Sequence, residues 1–102
     1  MTATFLVIYS TPTDPEAFDK HYREVHLPLA KALPGLRRYA LATAPQMVRG
    51  GVCYLVATLE WDSIAELRAA FGSPAGRATS EDMATLTRLS DVQSMIYELE
   101  DA

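Results

Sequence analysis

Two histidines, His21 and His26, stand five residues apart between Phe18 and Pro28, and the chain has no others. Imidazole gains and loses a proton near pH 7, so general acid–base chemistry is the first chemistry these residues offer. His26 is the leading catalytic candidate. On a helix it falls about 80° from Phe18, beside Tyr22 and Leu33, at the edge of an apolar stripe. A histidine with an apolar flank is also a common structural device, hydrogen-bonded to a nearby carbonyl, and that reading stays open. Tyr39 is the second catalytic candidate. If the strand that carries it packs beside the helix, its phenol can orient a substrate oxygen; otherwise it is a cross-strand aromatic with its hydroxyl at the surface. His21, Tyr22 and Pro28 complete the set as pocket-lining candidates, although Tyr22 and Tyr9 also read as core residues with a wet tip.

Other chemistries find less support. His21 and His26 are about 140° apart around a straight helix, so they should not share a metal ion as residues at i and i+4 can. Cys53 is the single cysteine, which leaves no thiolate cluster, and no metal site is expected. Ser73 lacks the Gly-x-Ser-x-Gly setting of a nucleophile and reads as a helix cap before Pro74. Asp82 reads as a further cap or a surface acid. Gly50 and Gly51 read as a hairpin turn, not a phosphate cradle, and no cofactor is expected.

The elements that would position these groups follow from periodicity and punctuation. Residues Thr4–Ser10 read as a covered strand. Thr13 or Asp14 can cap a helix with Pro15 in its first turn. Phe18, Tyr22, Val25, Leu29 and Leu33 mark the apolar stripe of that helix. Pro28 falls inside it, lacks an N–H and disfavours helical backbone at Leu27, so an interruption is expected within His26–Pro28. Pro34 and Gly35 end the element. Leu36–Ala44 and Val52–Trp61 read as a hairpin of strands. Ser63 and Glu66 form a capping box for a helix through Phe71, with Asp62 as an alternative cap. Ser80–Leu89 reads as a further helix and Val92–Leu99 as the last strand. The order βαββαβ predicts a ferredoxin-like α+β fold, an antiparallel sheet with helices on one face.

Size and charge narrow the function classes. The 102 residues predict one domain, 1–102, of ordinary globular composition, 49% apolar and 22% charged. A net charge of −4 with scattered basic residues disfavours nucleic acid. No run approaches a membrane span, and the apolar N-terminus is too short for a secretory signal, so a cytoplasmic protein is expected. The strands are apolar on both faces: Phe5, Val7 and Tyr9 alternate with Leu6 and Ile8, Leu55 and Ala57 with Tyr54 and Val56, and Val92 and Ile96 with Met95 and Tyr97. Covering the outer face with roughly eight side chains at ~60 Å² each is worth ~12 kcal/mol gross. That is comparable to the ~4–15 kcal/mol cost of association, and a homodimer is expected.

The pattern Phe18-x-x-His21-Tyr22-x-x-x-His26-x-Pro28, then Pro34-Gly35-x-x-x-Tyr39, resembles the EthD family, first associated with ethyl tert-butyl ether degradation. The segment Phe71-x-Ser73-Pro74-x-Gly76, with Asp82 downstream, is similar to a second patch of that family. The resemblance implies a dimeric α/β barrel, two sheets facing each other. It carries the family's His-x-Pro pair onto His26 and Pro28. Relatives in the wider superfamily include monooxygenases of phenolic substrates and lactone isomerases. The resemblance therefore implies a cofactor-independent enzyme, oxidoreductase-like or isomerase-like, acting on a small apolar or aromatic metabolite. It equally admits an accessory protein that carries such a metabolite in a degradation pathway.

Overall fold

A computed structural model describes residues 1–102. Strands β1 (Ala3–Tyr9), β2 (Arg38–Ala42), β3 (Leu55–Trp61) and β4 (Val92–Glu98) form one antiparallel sheet in the order β2-β3-β1-β4. The alternation in the sequence sets its two faces. Ala3, Val7 and Tyr9 of β1 and Leu55, Ala57, Leu59 and Trp61 of β3 are buried on one face beneath the helices. Register places Leu59 beside both Phe5 and Tyr39, so three strands contribute to one apolar floor. The hairpin is shorter than its sequence implies. The β2–β3 ladder ends at the Ala42–Val56 pair, and the loop beyond it exposes Met47, Val48 and Val52.

The first crossover is one helical run in three parts: α1 (Pro15–His21), a π-helical turn (Tyr22–His26) and α2 (Leu27–Lys31). Asp14 caps it, accepting the Ala17 N–H at 3.1 Å. The expected interruption at His26–Pro28 is corrected. Leu27 keeps helical backbone, φ −56° and ψ −48°, and its N–H bonds to the Tyr22 carbonyl five residues back. The irregularity lies one turn upstream of the proline. Pro28 has no N–H to return and its ring crowds the preceding turn; a turn widened by one residue relieves both. The same widening shifts the buried stripe. Val25 is 41% exposed and His26 only 5%, so the inward face runs Phe18, Tyr22, His26, Ala30, Leu33.

The second crossover is α3 (Ile64–Phe71), capped by Ser63, and α4 (Pro74–Leu89), capped by Ser73. Ser73 Oγ accepts the Gly76 N–H at 3.1 Å with Pro74 in the first turn. Helix α4 therefore starts six residues earlier than the Ser80 expected from the sequence. The Ala75–Gly76 step looks like a turn, but the glycine serves a close approach instead. A Cβ there would lie 2.5 Å from Phe71 Cα and closer still to the Ala70 carbonyl. No helix is long and apolar enough to cross a membrane.

Gly76→Ala must push α4 off the end of α3. Loss of roughly 1–3 kcal/mol is expected, the usual cost of overpacking. For a domain of this size that is a fall in melting temperature of at least about 4 °C, read by thermal denaturation.

Candidate functional site

The π-helical turn decides where both histidines point. With i→i+5 bonding, residue i+5 returns over residue i, as i+4 does in an α-helix. His21 and His26 therefore share a face, and the 140° separation expected for a straight helix is corrected. Both rings meet Asp82, which α4 brings in from the side. His21 Nε2 lies 2.8 Å from Asp82 Oδ1 and 3.0 Å from Oδ2, and His26 Nδ1 lies 2.9 Å from Oδ2. The three side chains grade from the surface inward, 22% exposed at His21, 11% at Asp82 and 6% at His26. Asp82 is thus neither a cap nor a surface acid. No set of three or more His, Cys, Asp or Glu side chains is disposed to hold a metal ion.

His26 also walls a cavity of about 100 Å³ between the covered sheet face and the helices. That is room for several waters or a small organic group. The lining is mostly apolar and aromatic, with Phe5 and Tyr9 from β1, Tyr39 from β2, Phe71 from α3 and Met83 from α4. Tyr22 lines it as well, its ring 5.3 Å from that of His26 and 5.6 Å from that of Tyr9. The cavity reaches Ser94 on β4, where the covering thins and Ile96 on the same face is 47% exposed.

Hydrogen-bond accounting shows which polar groups are spent. Tyr22 is 2% exposed, and its hydroxyl meets that of Tyr39 at 2.5 Å. Tyr9 donates to Met83 Sδ at 3.8 Å, a weak partner. No buried side-chain nitrogen or oxygen lacks a partner. His26 lines the cavity and spends Nδ1 on Asp82, which leaves Nε2 without a protein partner. Burial lowers the His26 pKa below its usual value, against the opposing pull of Asp82. Burial raises the pKa of Tyr9, Tyr22 and Tyr39. At neutral pH the site therefore pairs a neutral imidazole, able to accept a proton, with un-ionised phenols, able to donate hydrogen bonds.

Of the residues singled out in the sequence, His26, Tyr22 and Tyr39 line the cavity together. His21 and Asp82 stand outside it, and His21 is linked to it only through Asp82 and then His26. Pro28 is exposed and touches the site only by shaping the turn. The tips of Tyr9 and Tyr22 are buried, not wet. Asp82, part of the family pattern but read as a cap or surface acid, is the residue whose place in the site the sequence reading did not assign. Its signal was an acid at helical spacing between Thr79 and Leu86, both buried on the inner face of α4.

The architecture defines the class: a ferredoxin-like α+β protein with a histidine–aspartate pair and tyrosines around an apolar cavity. The EthD domain model matches residues 10–90, and the chain belongs to the EthD family. An uncharacterized 11.0 kDa protein from the thcB–thcC intergenic region of Rhodococcus erythropolis is 35% identical over 79 residues, 76% of this chain and 77% of that protein. The solved structure of an ethyl tert-butyl ether degradation (EthD) family protein from Bacillus halodurans C-125 is 28% identical, with a TM-score of 0.86 over 98% of this chain and 100% of that one. Two more distant structures share the fold. One is SnoaB, a cofactor-independent oxygenase from Streptomyces nogalater (16% identity, TM-score 0.69, 99% and 95% covered). The other is a dimeric ferredoxin-like protein from Thermobifida fusca YX (16% identity, TM-score 0.71, 97% and 92% covered).

The shifted groups set a pH window for stability. His26 holds its proton less tightly folded than unfolded, so stability should fall as pH drops through about 6.5. The buried tyrosines hold theirs more tightly folded, so stability should fall again above about pH 10. Thermal denaturation across this range should show a plateau bounded on both sides. Stability that rises below about pH 6 would contradict the burial of His26.

Proposed function

We propose that this protein is a cofactor-independent enzyme of small-molecule catabolism. It moves a proton on a small apolar or aromatic metabolite, with His26 as acid–base and Tyr39 as the group that holds the reacting oxygen. The observation that carries this reading is His26, which lines an apolar cavity with Tyr22 and Tyr39 and keeps Nε2 unspent. A phenol, enol or activated carbonyl compound fits such a site. Its O–H or C–H bond breaks toward Nε2, and the electron pair left behind settles on an oxygen that accepts the Tyr39 O–H. Return of the proton to another atom is an isomerisation. Reaction of the carbanion with molecular oxygen is a monooxygenase-like outcome: the anion supplies the electrons, the peroxide formed takes back the proton from Nε2, and loss of water leaves a carbonyl with one oxygen atom retained. The fold shared with a cofactor-independent oxygenase supports the oxygenation branch by analogy.

The largely apolar lining supports a second reading, an accessory protein that carries the metabolite without changing it. Substitution separates the two. His26→Ala would empty a buried position and strip Asp82 of a partner, so His26→Asn, which keeps a donor near Nδ1, is the cleaner variant. Turnover over a panel of phenols, quinols and enol-lactones should fall about 10²–10⁴-fold, with binding retained. A folded His26→Asn protein of undiminished activity would move the assignment to the carrier.

The assembly proposed is a homodimer through the outer sheet face. Leu6, Ile8 and Val56 lie there with no helix over them, and Met95 is 48% exposed. Contiguous apolar surface of this kind is uncommon on monomers. Sedimentation at micromolar concentration should give the mass of two chains, and Val56→Asp should halve it. A monomeric wild type would remove the proposal.

A further inference from the structure

We propose that Asp82, braced by His21, is the positioning residue that fixes the tautomer of His26 and so aims its basic nitrogen into the cavity. The inference rests on the acid–base reading of His26, but it is a statement about where two protons sit and is measured without substrate.

The argument is one of donors and acceptors. An ionised carboxylate only accepts hydrogen bonds, and a neutral imidazole has one N–H to give. His26 meets Asp82 through Nδ1 at 2.9 Å, so its proton sits on Nδ1 and its lone pair on Nε2. His21 meets the same carboxylate through Nε2 at 2.8 Å, so a proton sits on Nε2. One acceptor thus fixes a proton on opposite nitrogens of the two rings. A carboxylate held by one partner turns easily about its terminal torsion, which is broad and two-fold. The His21 contact removes that freedom, because Asp82 is then held from both α1 and the π-helical turn while its backbone belongs to α4. A ring aimed by a carboxylate behind it is the arrangement that orients catalytic and metal-bound histidines elsewhere. Here the carboxylate carries a second histidine where those sites leave it to backbone or water.

Nitrogen-15 correlation spectra of the histidine rings at neutral pH test this directly. The wild type should show His26 as the Nδ1–H form and His21 with a proton on Nε2. Asp82→Asn offers an amide N–H as well as an oxygen, so His26 should lose its single tautomer and populate Nε2–H. His21→Ala should leave the His26 tautomer in place but loosen the carboxylate, and the slowly exchanging Nδ1 proton should be lost to solvent exchange. A wild-type His26 protonated at Nε2 would overturn the proposal. So would a folded Asp82→Asn protein that keeps the Nδ1–H form, or a His21→Ala protein with unchanged proton exchange. If Asp82→Asn does not fold, the wild-type tautomers and the His21→Ala exchange rate decide the matter. Tautomers as stated, combined with a protein inactive on every substrate, would sink the enzyme reading and leave the positioning intact.

Discussion

A proline in the middle of a helix is the constraint from which the site follows. Pro28 cannot return a hydrogen bond to the turn before it, and its ring needs space there. The chain answers with one π-helical turn instead of a break. That turn holds one residue more than an α-turn, and every side chain beyond it is displaced around the axis. His26 moves inward to a position that regular spacing would divide with Val25, and Val25 moves out. His21 and His26 come onto one face, where a single carboxylate can serve both. The proline is exposed and lines no part of the cavity, and the widened turn ahead of it is what brings the histidines onto one face.

The second crossover must supply that carboxylate at the right depth. Asp82 lies near the middle of α4, so the seating of the whole helix sets its reach. The seat is built at the N-terminus: Ser73 caps, Pro74 starts the first turn, and Gly76 lets the backbone close on the end of α3. From there the inner face presents Thr79, Asp82, Met83 and Leu86 in turn. Thr79 and Met83 wall the cavity, Asp82 holds the histidines and Leu86 closes the core. A small displacement at Gly76 would therefore be felt at the carboxylate two turns away.

How much of this was legible depended on which regularity the chain obeyed. Strand alternation named both sheet faces correctly, because period two leaves no room for drift. Asp14, Ser63 and Ser73 named three helix starts, because capping is local chemistry. The EthD resemblance rested on two patches, one through His21, Tyr22, His26, Pro28 and Tyr39 and one through Ser73, Gly76 and Asp82, and the fold brings His21, His26 and Asp82 of the two patches into contact. The stripe through Val25 failed because it assumed a constant helical period through Tyr22–His26, where the helix is widened. The angle between the histidines failed for the same reason. Asp82 was passed over because a lone acid on a predicted helix is usually solvated; only the burial of Thr79 and Leu86 on either side marks its face as the inner one. The Ser73 cap and the helix from Ser80 were read as separate features, whereas the structure runs one helix from Pro74 to Leu89 with Gly76 pressed against the end of α3.

The charge balance of the cluster explains why two histidines and an aspartate can sit partly buried without a metal or a basic partner. With both rings neutral the unit carries one negative charge, delocalised over a carboxylate that accepts hydrogen bonds at both oxygens. Burial disfavours a charged His26 while Asp82 favours one, and burial is the stronger effect in the resting site. Proton uptake at Nε2 reverses the sense of the balance. The new imidazolium lies against Asp82 in a medium of low dielectric, and the cluster as a whole becomes neutral. In the proposed reaction, the anion left in the cavity would then face no net negative charge behind the base, with the Tyr39 hydroxyl in front. A molecule that arrives already anionic meets the opposite situation, a neutral ring backed by a carboxylate. On the proposed acid–base role of His26, the site would favour uncharged ligands that surrender a proton after they bind, a preference that the mostly apolar lining of the cavity supports.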